Sequence, residues 1–194
     1  LSHTGQGSNP TATPSNSIGC AAGKYVDGEN ISLSGATPSA GWQISGWTGT
    51  SNNSSTASTN TVTMPASDHT ANVNYALNTY VLSVSKSGTG SGTVTSSPTG
   101  INCGSTCSYY FNYDASVTLT ATPSAGSTFT GWSGGGCSGT GACTVTMSSA
   151  QSVTATFNAP GDQTLTVSKA GTGAGTVDSS PVGIKCGSTC SYAF

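Results

Sequence analysis

The sequence predicts an all-β chain of tandem small β-sheet modules, β-sandwich or β-grasp-like in form and stapled by disulfides. Three observations predict this class. Apolar residues alternate with serine and threonine in short runs, glycine-rich or proline-containing turns separate the runs, and one long segment occurs twice. Alternation with a period of two is typical of strands that are buried on one face. No run with helical spacing competes with it.

The repeat is the strongest of these signals. Residues 165–194 match residues 82–111 at an offset of 83, with 23 of 30 positions identical. An earlier copy matches more weakly but keeps TPSAG, GW and TVTM in the same order. The sequence therefore predicts four segments: module 1 at residues 1–77, a complete module 2 at residues 78–158, a short stiff linker at residues 159–162, and the first half of module 3 at residues 163–194.

Within module 2 the pattern predicts about seven strands around a thin core. Its largest apolar contributors are expected to be Tyr109, Phe111, Phe129 and Trp132. The stretches GTGSG and GTGAG each lie between two strands. They lack the lysine and the following helix of a phosphate-binding loop, so they are predicted to be hairpin turns.

Composition excludes several classes of partner. Charged residues make up 5% of the chain, against a usual share of about 25%. The few lysines are too scattered to form a phosphate-binding patch, so nucleic acid is not expected as a partner. No window approaches 18 consecutive apolar residues, so no membrane insertion is expected in this segment. No motif for a cofactor is present, and none is predicted.

The cysteines flank short turns. Facing positions across such a turn bring two Cβ atoms within disulfide range, although four cysteines in one module still allow three pairings. A zinc site is the rival interpretation, but the spacings lack its two-residue knuckle. We expect local disulfides formed in an oxidising compartment, pairing Cys103 with Cys107, Cys137 with Cys143, and Cys186 with Cys190. Cys20 is left over, either as a buried thiol or bonded outside this segment.

The repeated motifs resemble a known family. The ordered set LTVSKxGTGxGTV, GINCGSTC, VTLTATPSAGSTFTGWSG, CTVTM and SVTATF is similar to the divergent InlB B-repeat modules, which occur in tandem on bacterial secreted and surface proteins. The resemblance covers modules 2 and 3, whereas module 1 keeps only part of the set. It implies an extracellular β-rich spacer or adhesion module, related in places to β-grasp folds, and it implies no catalytic residue.

No arrangement of residues in the sequence indicates catalysis. Asp68 and His69 offer two members of a hydrolase triad, yet no nucleophile-elbow pattern surrounds any serine, and sequence neighbours rarely form a triad. The carboxylates are spread too thinly for glycoside hydrolysis or for a calcium loop. We therefore expect no enzyme activity and no catalytic or metal-binding residue.

Two kinds of residue remain as candidates for contact with glycans. Trp47 and Trp132 recur behind glycine at one repeat position, which indicates a core role, whereas Trp42 has no tryptophan counterpart and is the candidate ligand contact. Asparagines in glycosylation sequons are candidate attachment sites, namely Asn30, Asn52 and Asn53.

These observations favour a non-catalytic segment of a bacterial extracellular or cell-surface protein, acting as a stalk or as a building block of a fibre. The alternative is an adhesion or carbohydrate-binding module. The half module at residues 163–194 cannot bury both faces of its strands alone. We expect either further repeats of the same chain or another copy of the protein, packed head to tail in a filament, to cover them.

Overall fold

The computed structural model describes residues 1–161, 164–180, 182–186 and 190–193. Over these ranges the chain is all-β, with strands and turns but no helix. The strands form several small sheets, and cysteine pairs staple them. Asp162, the last residue of the predicted linker, and Phe194, the last residue of module 3, lie outside the described residues.

Module 1 folds as two three-stranded sheets. One sheet has the order β1-β6-β4, in which β1 runs parallel to β6, and the other has the antiparallel order β2-β3-β5. Residues from both sheets share one buried cluster, so the module is a sandwich. Its strands are β1 (Ser2–Thr4), β2 (Thr11–Thr13), β3 (Asn30–Ser34), β4 (Trp42–Thr48), β5 (Asn60–Thr63) and β6 (Asn72–Leu77).

Module 2 repeats this plan and adds two strands. Its sheets have the orders β12-β11-β14-β7-β9 and β13-β10-β8, and β7 runs parallel to β14 as β1 does to β6. The added strands are β9 and β12. In full, the strands are β7 (Thr79–Ser87), β8 (Gly92–Ser97), β9 (Ser108–Asn112), β10 (Ser116–Pro123), β11 (Thr128–Gly134), β12 (Cys137–Gly139), β13 (Cys143–Thr146) and β14 (Gln151–Asn158).

The two modules agree in detail as well as in topology. Both carry an irregularity in the register just before the Gly-Trp pair, at Gly46 and at Gly131. The tryptophans that follow, Trp47 and Trp132, are both buried. Each indole Nε1–H donates a hydrogen bond to a carbonyl of the following loop. The expectation that these two tryptophans serve the core is confirmed.

Three features of the sandwich differ from the sequence-based expectations. Module 2 has eight strands, where about seven were expected, and module 1 has six. The stretch GTGSG is not a hairpin turn, because β7 and β8, which flank it, lie in different sheets. Tyr109 is 46% exposed, because it lies in β9, the edge strand of its sheet.

The described part of module 3 follows the same pattern. Its strands β15 (Thr164–Thr166) and β16 (Ser191–Ala193) pair antiparallel, with Thr164 opposite Ala193. Subtracting the repeat offset of 83 residues gives the pair Val81 and Tyr110, which are opposite each other in β7 and β9. The repeat in sequence is therefore also a repeat in strand register.

Candidate functional site

The first cysteine pair fastens a tight loop to the edge of module 2. Cys103 and Cys107 are joined by a disulfide, with their Cα atoms 4.3 Å apart. The N–H of Cys103 donates to the carbonyl of Val94 in β8, and the carbonyl of Cys107 accepts from the N–H of Val84 in β7, each at 2.7 Å. The loop thus bridges the neighbouring strands of two different sheets. Asn102 closes its interior, because its carbonyl accepts the N–H groups of residues 104, 105 and 106.

The second pair connects the sheets at the opposite edge. Cys137 begins β12 in the five-stranded sheet, Cys143 begins β13 in the three-stranded sheet, and a disulfide joins them with a Cα separation of 5.2 Å. The loop between them also receives the hydrogen bond from Trp132 Nε1 to the carbonyl of Gly141, at 2.9 Å. A covalent link and a buried indole therefore hold the same corner of the sandwich.

The third pair reproduces the first. A disulfide joins Cys186 and Cys190, with a Cα separation of 4.6 Å. Cys186 N–H donates to the Val177 carbonyl, and Val167 N–H donates to the Cys190 carbonyl, both at 2.8 Å. These are the partners of the first loop shifted by one repeat. The disulfide loop is therefore a unit that the repeat carries with it.

Replacing both Cys137 and Cys143 by serine is expected to lower the free energy of unfolding of module 2 by about 2 kcal/mol, the loop entropy of so short a closure. Urea denaturation of the purified chain measures the change. The matched control is the double replacement of Cys186 and Cys190, which should leave the transition of module 2 in place.

The pairing of the cysteines is tested separately by peptide mapping without reduction. Recovery of Cys103 linked to Cys143 would contradict the local pairing.

Trp42 stands at the start of β4 and is half-buried. Its ring packs against the module 1 core cluster and against Gly5, where an added Cβ would lie 2.9 Å from Cζ3 of the indole. Trp42 also lines an open cavity of about 640 Å³, together with Pro38, Gln43, Ile44, Ser45, Thr56 and Ser58. The residue therefore contacts the core of module 1 and lines a cavity at once.

The three sequon asparagines are exposed and lie in module 1. Asn30 opens β3, and its Oδ1 accepts a hydrogen bond from the hydroxyl of Thr63. Asn52 and Asn53 lie in the loop after β4, where their Oδ1 atoms accept hydrogen bonds from Ser54 and Thr50. These bonds hold the loop that a disulfide holds in module 2. Glycosylation at the three positions stays a prediction.

A cleft of about 1010 Å³ lies beside the core of module 1. Ile31, Leu33 and Val62 line its inner part, and Asp68 and His69 belong to its lining as well. The Nε2 atom of His69 is hydrogen-bonded to the carbonyl of Gly49 at 2.7 Å. Among the residues that the structure describes, no serine hydroxyl is hydrogen-bonded to that imidazole, as the nucleophile of a triad would be.

Cys20 is an unpaired thiol in module 1 that is half-buried rather than fully buried. A bond from it to a cysteine outside this segment stays a prediction. Among the residues that the structure describes, no group of three or more histidine, cysteine and acidic side chains is placed to hold a metal ion. In the same residues, no helix is long and apolar enough to cross a membrane.

Comparison with known proteins gives one match. A family model described as the divergent InlB B-repeat domain matches the chain twice in tandem, over residues 6–79 and over residues 82–161. The first segment contains most of the module 1 sandwich and the second contains nearly all of module 2. No curated protein and no solved structure matches the chain.

Proposed function

Because this chain belongs to the divergent InlB B-repeat family, we propose that it is a non-catalytic structural segment of a bacterial extracellular protein, acting as a stalk or as a building block of an extracellular fibre. The family suggests a repeat domain of bacterial surface proteins. The role as a stalk or fibre unit is the finer step that we add, and the structure of the repeat supports it.

The observation that carries the proposal is the conservation of the framework from copy to copy. The parallel first and last strands and the bulge before the Gly-Trp pair recur in modules 1 and 2. The cysteine loop recurs in modules 2 and 3 with the same backbone partners. What recurs from one copy to the next is therefore a set of contacts that hold the module together. Repetition of a framework is what a protein needs when its task is to span a distance.

The surface of the strands fits the same role. Serine and threonine make up about a third of the chain, and their hydroxyls pair across neighbouring strands of module 2. Ser85 bonds to Thr154 at 2.8 Å, Ser87 bonds to Thr156 at 2.9 Å, and Thr118 bonds to Thr144 at 3.3 Å. Such cross-strand pairs each contribute about 0.2–1 kcal/mol. These pairs stiffen the sheets without charged groups, so salt is expected to change the free energy of unfolding little.

An extracellular or cell-surface location follows from the same proposal. Disulfides persist in oxidising compartments and are rare in the cytosol of mesophiles, and the described structure pairs six cysteines. Labelling of intact cells with an antibody to module 2 tests the location. Signal that appears only after the cells are broken would contradict it.

The proposed partners are further repeats of the same chain or other copies of the protein, packed head to tail. Module 1 offers an edge for an added strand. β1 is an edge strand of its sheet, and Leu1, the residue before it, lines the cleft beside the module 1 core. A strand of alternating apolar residues could extend the sheet there through backbone hydrogen bonds.

Negative-stain imaging of the native material, combined with sedimentation, tests the stalk or fibre role. We expect elongated strings of modules or filaments. Uniform particles with the mass of one 19.0 kDa chain would contradict both versions of the proposal.

A second candidate function is adhesion to carbohydrate. The half-buried indole of Trp42 beside the cavity favours it, because a ring held on one face can stack a sugar on the other. A glycan array probed with the chain and with Trp42→Ala tests this function. Binding that the substitution abolishes would support it, and equal profiles for the two proteins would reject a role for Trp42.

We expect the chain to show no hydrolytic activity above a buffer blank. The reason is that His69 is bonded to a backbone carbonyl and lacks the geometry of a triad. A panel of esterase, glycosidase and protease substrates measures this, with Asp68→Ala and His69→Ala as variants. Activity that either substitution removed would overturn the non-catalytic assignment.

A further inference from the structure

The junction between modules 1 and 2 consists of a single residue. Asn78 is all that separates β6 from β7. Its N–H donates to the carbonyl of Gly41 in module 1, and its carbonyl accepts the N–H of Tyr113 in module 2, both at 2.8 Å. Both backbone groups of the linking residue are thus used, one by each module.

These two hydrogen bonds continue the sheets on either side. Trp42 of β4 is opposite Leu77, the residue before Asn78, and Thr79, the residue after it, is opposite Asn112 of β9. The junction is therefore the point where one sheet ladder passes directly into the next. A flexible tether, which is the usual connection between domains, would leave these groups to water.

A side-chain contact covers the same point. The ring of Tyr113 lies flat against Gly41, so closely that a Cβ on Gly41 would overlap it. The ring of Tyr80 lies next to that of Tyr113, with the ring centroids 6.4 Å apart. Module 2 thus places the aromatic ring of Tyr113 against Gly41 of module 1, where no side chain intervenes.

The turn that receives Tyr113 is identical in the two modules. Both have the sequence TPSAG, at residues 37–41 and 122–126. In both, the residue after the glycine donates its N–H to the serine carbonyl, at 2.9 Å for Trp42 and 3.0 Å for Ser127. The glycines have φ of 77° and 74°, the positive value that a type II turn requires at its third residue. A Cβ on Gly126, however, would meet nothing within 4 Å.

We propose that the TPSAG turn of module 1 is a socket for the aromatic ring of Tyr113, and that this contact with the two bonds of Asn78 makes the junction a rigid joint. The chain then extends as a stiff rod rather than as domains on a flexible string. This inference rests on the proposed stalk role and gives it a mechanical basis, because a stiff connection keeps the distance between the ends of the array constant.

The two matched glycines provide a sharp test. Gly41→Ala and Gly126→Ala place the same methyl group at the same φ in the same turn, so their backbone cost is equal. Only the first collides with Tyr113. Tyr113→Ala removes the ring without touching any glycine, and it keeps the test informative if Gly41→Ala fails to fold.

Residual dipolar couplings on the whole 194-residue chain give the readout. We expect one alignment tensor to fit modules 1 and 2 of the natural chain and of Gly126→Ala. For Gly41→Ala and Tyr113→Ala we expect the common tensor to be lost, while each module still fits its own. Separate tensors in the natural chain, or one tensor in Tyr113→Ala, would overturn the joint.

The outcome is independent of the test of the proposed function. A flexible junction would remove the rigid joint and leave the stalk role to the imaging experiment. Particles of a single chain in that experiment would remove the stalk role and leave the alignment result standing.

Discussion

Replacing Trp132 by alanine is expected to lower the free energy of unfolding of module 2 by about 3–5 kcal/mol, the usual cost of removing a buried tryptophan. Trp132 is 5% exposed, and its ring contacts that of Phe129 edge to face with the centroids 4.9 Å apart. The substitution also leaves the carbonyl of Gly141 without the indole N–H that it accepts. A cavity, a lost aromatic contact and a lost hydrogen bond thus act on one corner.

Hydrogen exchange of the β14 amides measures the effect, because exchange of central strands follows the global unfolding of their module. Trp42→Ala is the control, since it makes the same chemical change at a half-buried position. Trp42→Ala should lower the free energy of unfolding of module 1 clearly less than Trp132→Ala lowers that of module 2. If Trp42→Ala destabilised its own module as much as Trp132→Ala does module 2, burial would not be the cause that we assign.

The strands and their buried faces were predictable because both are local properties. Alternation marks which side of a strand is buried, and the recurring Gly-Trp pair marks the centre of the core at Trp47 and Trp132. Short cysteine spacings similarly limit which pairs of sulfurs can meet. Each of these signals lies within a few residues of the feature that it predicts.

Which strands pair with each other could not be predicted from these local signals. The parallel contact between β7 and β14 joins residues such as Leu82 and Gln151, and alternation carries no information about which strand is the partner. For that reason GTGSG was predicted to be a hairpin turn although it crosses from one sheet to the other. The exposure of Tyr109 has the same origin, because only the order of the strands shows that β9 is an edge.

The joint between the modules could not be predicted from the repeat at all. Comparison of copies draws attention to positions that recur, whereas Tyr113 does not. The N–H groups of Gly28 and Asp114 donate to the carbonyls of Met64 and Met147, so Gly28 and Asp114 occupy equivalent positions in the two modules. The module 1 counterpart of Tyr113 is therefore Asp27. Only the contact of its ring with Gly41 reveals what the tyrosine does.

The turn between β7 and β8 offers the second large effect. Gly88 has a φ of 94° and lies so close to the end of β14 that a Cβ would overlap the carbonyl oxygen of Phe157. The N–H of Gly90 donates to that same carbonyl at 2.8 Å. The turn therefore wraps the last strand of the module, and the approach is possible only without a side chain.

Gly88→Ala is expected to destabilise module 2 by two separate costs. The positive φ costs an alanine about 1–2 kcal/mol, and the collision with backbone atoms, which cannot swing aside, adds about 1–3 kcal/mol. Urea denaturation measures the sum. Gly126→Ala is the control, because Gly126 lies in the same module, with a φ of 74° and nothing within 4 Å of its Cβ direction. It should show the first cost alone, so equal losses for the two variants would show that contact with β14 does not restrict the turn.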